Sequence, residues 1–396
     1  MTVYQEKLSR AEELLVLALK EKKSKDECHR VLSIYREIGD EEIYQAAVRN
    51  KVVPMVAHGL MESVPSEELP VRWQQAHSDV ERKLAIFFAE LDRLGSICEK
   101  QGIRIVAIEN GGIARGVQKC HGCFASSDIE ILVTYDRLEE FEQILSGEGY
   151  EARSRERCAS ENKNQWDRDV CGWDNYCKIL QDDVVFWLNV QWRPILRRWI
   201  PMEYGLKSDD LIDRSIPIKN SDTYVRILSP EDNLLVCALH VASHSYVRGI
   251  GIRLQLDVDR LVRHVEIDWG HFLALVKKHQ AEELVFPSLA IPHGLIGTPI
   301  PKEIFPKLVP SKIKRRNILG LISQAGVLNR ESRKFSPIHI VRLEIALAKG
   351  GIISGLRRVF FPPLAWVKEG YRSRKHYPIV YCYLDRLIDL AKRRGA

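Results

Sequence analysis

The sequence predicts an α+β protein, a small mixed β-sheet flanked by N-terminal and C-terminal helical regions. Three observations carry this. Apolar residues recur at helical spacing over residues 4 to 100 and again after residue 228. Between those regions lie short runs rich in β-branched residues, each about as long as a strand. Turn and cap residues, Gly102, Gly111-Gly112 and Ser229-Pro230, stand where one pattern gives way to the other. A chain of 396 residues argues for more than one structural unit. The boundaries give a helical region over 1–100, an α/β core over 101–228 and a helical region over 229–396.

In the first region Leu8, Ala11, Leu14, Leu15, Ala18 and Leu19 form one helical face. Val48, Val52, Val53, Val56 and Leu60 form a second, with Pro54 at a boundary or kink. A longer helix runs from about Trp73 to Lys100 and buries Leu84, Phe87, Phe88, Leu91 and Leu94. The core opens on Ile103 to Ile108, which suits a buried strand. Gly111-Gly112 then turns the chain into a short helix ending near Lys119. Residues 120 to 127 read as a polar loop, and Asp128 to Val133 as a strand. Asp136 to Ser146 is an amphipathic helix stopped by Gly147 and Gly149. Residues 151 to 170 are highly charged and read as an excursion. Tyr176 to Leu180 and Val184 to Trp192 form a hairpin around Gln181-Asp182-Asp183. Residues 205 to 227 are a connector, with a last strand at Tyr224 to Leu228. Ser229-Pro230-Glu231-Asp232 has the order of a helix start, and Asp268 caps Trp269 to His279. Gly350-Gly351, Pro362-Pro363 and Pro378 divide the tail into two or three helices.

The composition, 45% hydrophobic and 28% charged, is that of a chain able to bury an ordinary core. A net charge of +6 suits nucleotides or other anions and is too weak to argue for duplex nucleic acid. Met1 to Arg10 is polar, and no apolar run reaches the eighteen or so residues of a spanning helix. The nine cysteines are odd in number and scattered. The expectation is reduced thiols in a cytoplasm.

The stretch with the most chemistry in it is Asp128-Ile129-Glu130. Two carboxylates two apart on a strand share a face, while Ile129 and Ile131 go to the other. Acids held together on a rigid strand are costly unless a cation neutralises them. Mg²⁺ fits, because it takes hard oxygen ligands and shares itself with phosphates. The Gly111-Gly112 turn, opening a helix, offers backbone N–H groups to those phosphates. Two plainer readings stand beside these: solvated acids on an edge strand, and a simple strand-to-helix turn.

A Gly-Gly turn followed by acid-x-acid resembles the nucleotidyltransferase superfamily of DNA polymerase beta. Further along, the resemblance narrows to the bacterial and archaeal family of uncharacterised nucleotidyltransferases. The residues that carry it are Asn50-Lys51-Val52-Val53-Pro54-Met55, Gln191-Trp192-Arg193 and Leu228-Ser229-Pro230-Glu231-Asp232. They continue with Leu239-His240, Leu254-Gln255-Leu256-Asp257 and Ile267-Asp268-Trp269, so that about residues 40 to 290 are covered. The resemblance implies a nucleotidyltransferase-like core and Mg²⁺-dependent transfer of a nucleoside monophosphate from an NTP, ATP or GTP, to an unidentified acceptor. Asp128 and Glu130 would be the catalytic metal ligands. Gly111, Gly112 and Arg193 would bind nucleotide, and Asn189 and His240 would border the pocket.

The chain departs from that pattern in four places. Asn110 stands where the family has Lys, and Phe124 where it has Arg. Asn189 replaces the third acid and Gln191 a His, so neither residue can do the proton chemistry of its counterpart. Arg115 and Lys119 are nearby cations that could take over the missing charge. The rival reading is therefore a protein that keeps the fold, binds a nucleotide or a protein partner, and has lost catalysis. On the enzyme reading, Asn189→Asp raises any transfer present.

The remaining motifs have plainer accounts. His240 and His244 share a helix face and read as one buried and one surface histidine. Arg253 and Asp257 read as an ion pair. Cys120-x-x-Cys123 lacks a second tight pair, since Cys171 and Cys177 are too far apart, so free thiols without zinc are expected. The basic clusters at 312–316, 357–358 and 372–375, with Phe360, Phe361 and Trp366, fit either solvated helix faces or contact with a membrane surface.

Overall fold

A computed structural model describes residues 3–117, 120–124, 127–153, 172–195, 205–247, 251–328, 337–364, 367 and 378–392. The charged stretch 154–171 with Cys171, the basic cluster 372–375, and Trp366 lie outside the described residues.

Five helices open the chain: α1 (Arg10–Ala18), α2 (Lys25–Ile38), α3 (Asp40–Arg49), α4 (Val53–Met61) and α5 (Val71–Lys100). Their starts follow from local chemistry. Ser9 with Glu12 and Ser24 with Glu27 form reciprocal capping boxes, each satisfying two orphan backbone donors. Pro54 sits in the first turn of α4, where its missing N–H costs nothing, so it marks a boundary and not a kink. Gly102, at φ +67°, turns the chain out of α5.

The core contains β1 (Val106–Ile108), α6 (Glu109–Gly116), β2 (Ile129–Leu132), α7 (Leu138–Gly147), β3 (Glu151–Ala152), β4 (Trp173–Ile179) and β5 (Val185–Gln191). It continues with α8 (Ser208–Asp213), β6 (Ile216–Pro217) and β7 (Arg226–Ile227). These strands make one mixed sheet in the order β3-β4-β5-β2-β1-β7-β6. The strand that follows Asp128 is therefore central. It runs antiparallel to β1 and parallel to β5, which sets aside the edge-strand reading. β1 is shorter than expected, and α6 begins before the two glycines instead of after them.

The C-terminal part is helical: α9 (Pro230–Ser243), α10 (Gly251–His264), α11 (Trp269–Lys278), α12 (Glu282–Leu295), α13 (Ile304–Leu308), α14 (Lys312–Ala325), α15 (Pro337–Leu347), α16 (Gly351–Phe360) and α17 (Ile379–Lys392). Asp268 caps α11 by accepting from the Gly270 and His271 amides at 2.9 and 3.0 Å. Ser229 is the N-cap residue of α9, but its hydroxyl donates to Asp232, whose carboxylate also holds Arg214. One continuous hydrophobic cluster runs from Tyr4 to Leu347 and draws on all three sequence regions. α9 is buried around most of its circumference, so it is a central helix of that cluster. No helix among the described residues is long and apolar enough to cross a membrane. Part of the 312–316 basic run works inside the fold: Lys314 pairs with Glu283 at 3.0 Å and Arg315 donates to the Pro310 carbonyl at 2.9 Å.

Candidate active site

The sheet register assembles a polar row. Glu130 lies opposite Ile108 of β1 on one side and Asn189 of β5 on the other, and Asn189 lies opposite Asn175 of β4. Paired residues on neighbouring strands share a face, so Glu130, Asn189 and Asn175 stand side by side. The alternate positions, Ile129, Ile131, Leu188 and Val190, are fully buried on the opposite face. That division fixes the register, because a one-residue slip would bury the polar row in the core.

Glu130 is the most constrained member. It is buried, and its Oε2 has no hydrogen-bond partner in the protein. Burial pushes its carboxyl well above the ordinary range. The charge of Asp128 adds to this, then that of Glu109, while Arg253 of α10 acts in the opposite sense. Asp128 lies just before β2 and is less buried. The Ser127 hydroxyl donates to it at 3.1 Å.

Glu109 is the acid that sequence reasoning passed over. It follows Ile108, the residue opposite Glu130, and opens α6 with φ +49°. A non-glycine residue rarely adopts that conformation unless its surroundings enforce it. The buried Glu109 carboxylate pairs with His240 Nδ1 of α9 at 2.8 Å. The available signal was position alone, an acid directly before Asn110-Gly111-Gly112.

The two glycines sit in the first turn of α6, both buried. A Cβ on Gly111 would stand 3.0 Å from Ile129 Cγ2 and 3.2 Å from the Glu130 carbonyl oxygen. One on Gly112 would stand 2.5 Å from the Ala107 carbonyl oxygen. Their absence of side chains lets α6 rest directly on β1 and β2. The same first turn carries amides without intrahelical acceptors, aimed at the helix N-terminus. Next to them Asn110 is buried, and its Oδ1 has no hydrogen-bond partner.

Other sequence candidates are engaged by neighbours of their own. Asn189 is fully engaged: its Nδ2 donates to Asn175 Oδ1 at 2.9 Å and its Oδ1 accepts from Gln191 Nε2 at 2.8 Å. Arg193 follows the last residues of β5. It lies against Gly172. At about 3.3 Å per residue, Gln191 alone is already about 7 Å along the strand from Asn189. Arg115 is held by Asp92 at 2.8 Å and by Ser221. His244 is buried, not at the surface, with its ring centroid 5.0 Å from that of His240. Asp257 is paired with Arg260 at 3.3 Å and feels Arg253 at longer range.

Arg260 stands beside one departure. Phe124 is buried, and the Arg260 guanidinium lies 4.3 Å from its ring centroid, an arrangement of the cation–π type. A cation from α10 thus stands beside the residue at which the expected Arg is missing. The 120–124 segment is also not an open polar loop. It is a short 3₁₀ turn with Gly122, Cys123 and Phe124 buried.

A groove of about 660 Å³ is lined by Ser127 and Trp187, with Arg82 and Lys83 of α5. Trp187 and Asn189 alternate on β5 and so share a face. Asp79, paired with Arg82, and Asp182 also line this groove, which reaches the chain at Ser127, next to Asp128 in sequence.

A family model described as uncharacterised nucleotidyltransferase matches residues 36–297, from the end of α2 to just past α12. The chain belongs to this family. The matched span contains the acids, the α6 turn and both helices that close over them. A comparison with curated proteins finds no significant match.

Proposed function

We propose that the protein is a Mg²⁺-dependent nucleotidyltransferase that moves a nucleoside monophosphate from ATP or GTP to an unidentified acceptor. The observation that carries this is the buried, partnerless Glu130 oxygen, on which the charges of Asp128 and Glu109 act. A native protein satisfies its buried polar atoms, so an exception asks for an absent ligand. Asp128, Glu130 and Glu109 are hard oxygen donors, and their mutual repulsion is what a divalent cation relieves. The donor set therefore fits Mg²⁺ better than a soft metal.

Asp128 and Glu130 would hold the ion, with Glu109 as the third carboxylate. Bound there, Mg²⁺ supplies charge neutralisation for the phosphates of the NTP. His240 keeps the Glu109 carboxylate oriented through its 2.8 Å contact. The α6 amides face the end of the helix that favours phosphate. In the groove Lys83 lies beside Arg82, which is paired with Asp79, and Trp187 offers a face for a base.

The rival reading, a nucleotide binder without turnover, rests on Asn189. Its amide is committed to Asn175 and Gln191 and supplies no carboxylate. Two measurements separate the readings. Calorimetric titration with Mg²⁺-ATP and Mg²⁺-GTP, wild type against Asp128→Ala, tests for the site. A transfer assay with labelled NTP then tests for turnover. Equal binding by both proteins would remove the site from these acids.

A further inference from the structure

We propose that His58, His77, Cys120 and Cys123 form a structural zinc site. The ligand atoms of these four residues all lie within 4.8 Å of one another. His77 Nε2 is 3.2 Å from Cys120 Sγ and 3.8 Å from Cys123 Sγ. His58 Nδ1 is 3.8 Å from Cys120 Sγ, and the two sulfurs are 2.9 Å apart. A tetrahedral zinc centre places its N and S ligands about 3.3 to 3.8 Å apart. Small adjustments of four side chains would seat the ion.

The donor chemistry selects the metal. Two thiols and two imidazoles suit zinc and do not suit the hard Mg²⁺ of the acid cluster. Four protein ligands close the coordination sphere, which is the pattern of a structural site. Both ligand-bearing regions also carry support beyond the ligands. His58 directs its other ring nitrogen, Nε2, to Glu62 Oε1 at 3.4 Å. Carboxylates in that position orient metal-bound histidines. On the other side, a Cβ on Gly122 would stand 2.2 Å from His77 Cε1 and 2.5 Å from each ring nitrogen. Only glycine between the cysteines lets the imidazole lie over the turn. The Cys123 carbonyl accepts from Arg260 at 2.6 Å, which ties the turn to α10 as well. A cavity of about 200 Å³, lined by His58, Cys120, Cys123 and Arg260 among others, adjoins the cluster.

The four ligands come from three places: His58 from α4, His77 from the second turn of α5, and the cysteines from the 3₁₀ turn ahead of β2 and its N-cap residue. Zinc would therefore staple the segment leading to Asp128 onto the N-terminal helices. This is a different role from that of the carboxylates, and it does not depend on nucleotide transfer.

The test uses the full chain purified without a metal-affinity step, with zinc, iron, cobalt and nickel measured by mass spectrometry. About one zinc per chain is expected. Cys120→Ser and His77→Ala should each lose at least tenfold in zinc content. Cys28→Ser and Asp128→Ala should keep it, so failure of the transfer reading leaves this result intact. If the ligand variants do not fold, wild-type protein exchanged with Co²⁺ gives the answer. Absorption bands of tetrahedral cobalt with thiolate charge transfer are expected. Wild type that lacks stoichiometric zinc and gives no such bands overturns the proposal. So does stoichiometric iron in its place, or a Cys120–Cys123 disulfide in the native protein.

Discussion

Two clusters of ionisable side chains draw on neighbouring stretches of the chain, Cys120 with Cys123 and Asp128 with Glu130, and they are built differently. The acid cluster takes its members from adjacent positions: Asp128 and Glu130 are two apart, and Glu109 opens the helix packed on their strand. The sulfur–nitrogen cluster draws Cys120 and Cys123 from one turn and His58 and His77 from two helices far earlier in the chain. In the first, charges of one sign are crowded and Glu130 Oε2 is left partnerless. In the second, thiol and imidazole already complement one another: the Cys120 thiol is pulled well below its ordinary value, by the Cys123 hydrogen bond first and by His58 and His77 after it. Crowding of like charge leaves a buried carboxylate oxygen unsatisfied, whereas thiols and imidazoles brought together satisfy one another.

The largest expected effect tests whether the clusters are independent. Asp128→Ala should weaken Mg²⁺-NTP binding by about 100-fold or more, since even outer partners of metal ligands are worth about 10- to 100-fold. None of the seven cysteines described is in a disulfide, and their reactivity should be the same in that variant as in wild type. Loss of thiol protection in Asp128→Ala would show the two clusters to be one unit.

Glu109→Gln comes next. Removing this charge while keeping its shape should lower Mg²⁺-dependent binding about 10- to 100-fold if Glu109 is the third carboxylate. His240→Ala should follow it in the same direction with a smaller effect. Unchanged affinity in Glu109→Gln would reduce the site to two acids.

Asn189→Asp should destabilise the metal-free protein by about 1–3 kcal/mol, because Asn175 loses its donor and another carboxylate joins the row. This opposes the gain of activity expected from the sequence. Thermal melts with and without Mg²⁺, beside the transfer assay, decide between them.

The pH dependence has a definite sign. The carboxyl of Glu130 is raised in the folded state from its ordinary value of 4.5. The folded protein therefore holds that proton more tightly than the unfolded chain. Stability from this group is complete below 4.5 and is lost as pH rises toward the raised value. Asp257, raised chiefly by burial, acts in the same sense. Denaturant melts without Mg²⁺ should lose stability with rising pH through that window, and Glu130→Gln should flatten the slope. Saturating Mg²⁺ should flatten it too, by holding the carboxylate ionised. A slope indifferent to both would remove Glu130 from the cation site.

The smallest effect belongs to Arg193→Ala, which should change nucleotide affinity less than about threefold, because this half-buried side chain packs against Gly172 past the end of β5 and its loss is chiefly one of packing. A loss as large as that of Asp128→Ala would mean the nucleotide reaches past the end of β5.

Sequence alone determined what local chemistry controls. The Asp268 cap and the β4–β5 hairpin depend on residues within a few positions of each other. So does the fold class, since the switch between helical and strand periodicity is written along the chain. Tertiary structure decided whatever depends on distant partners. It placed β2 at the centre of the sheet and set Asn189 beside Glu130 through a parallel register. It also brought His240 to Glu109, Arg260 over Phe124, and His58 and His77 to the cysteines. No spacing rule reaches those contacts, because helix packing sets them and many sequences pack alike. The strained Glu109 was hidden for the same reason: its φ is enforced by α6 resting on β1 and β2 through Gly111 and Gly112, and an acid beside a glycine turn carries no mark of what will press against it.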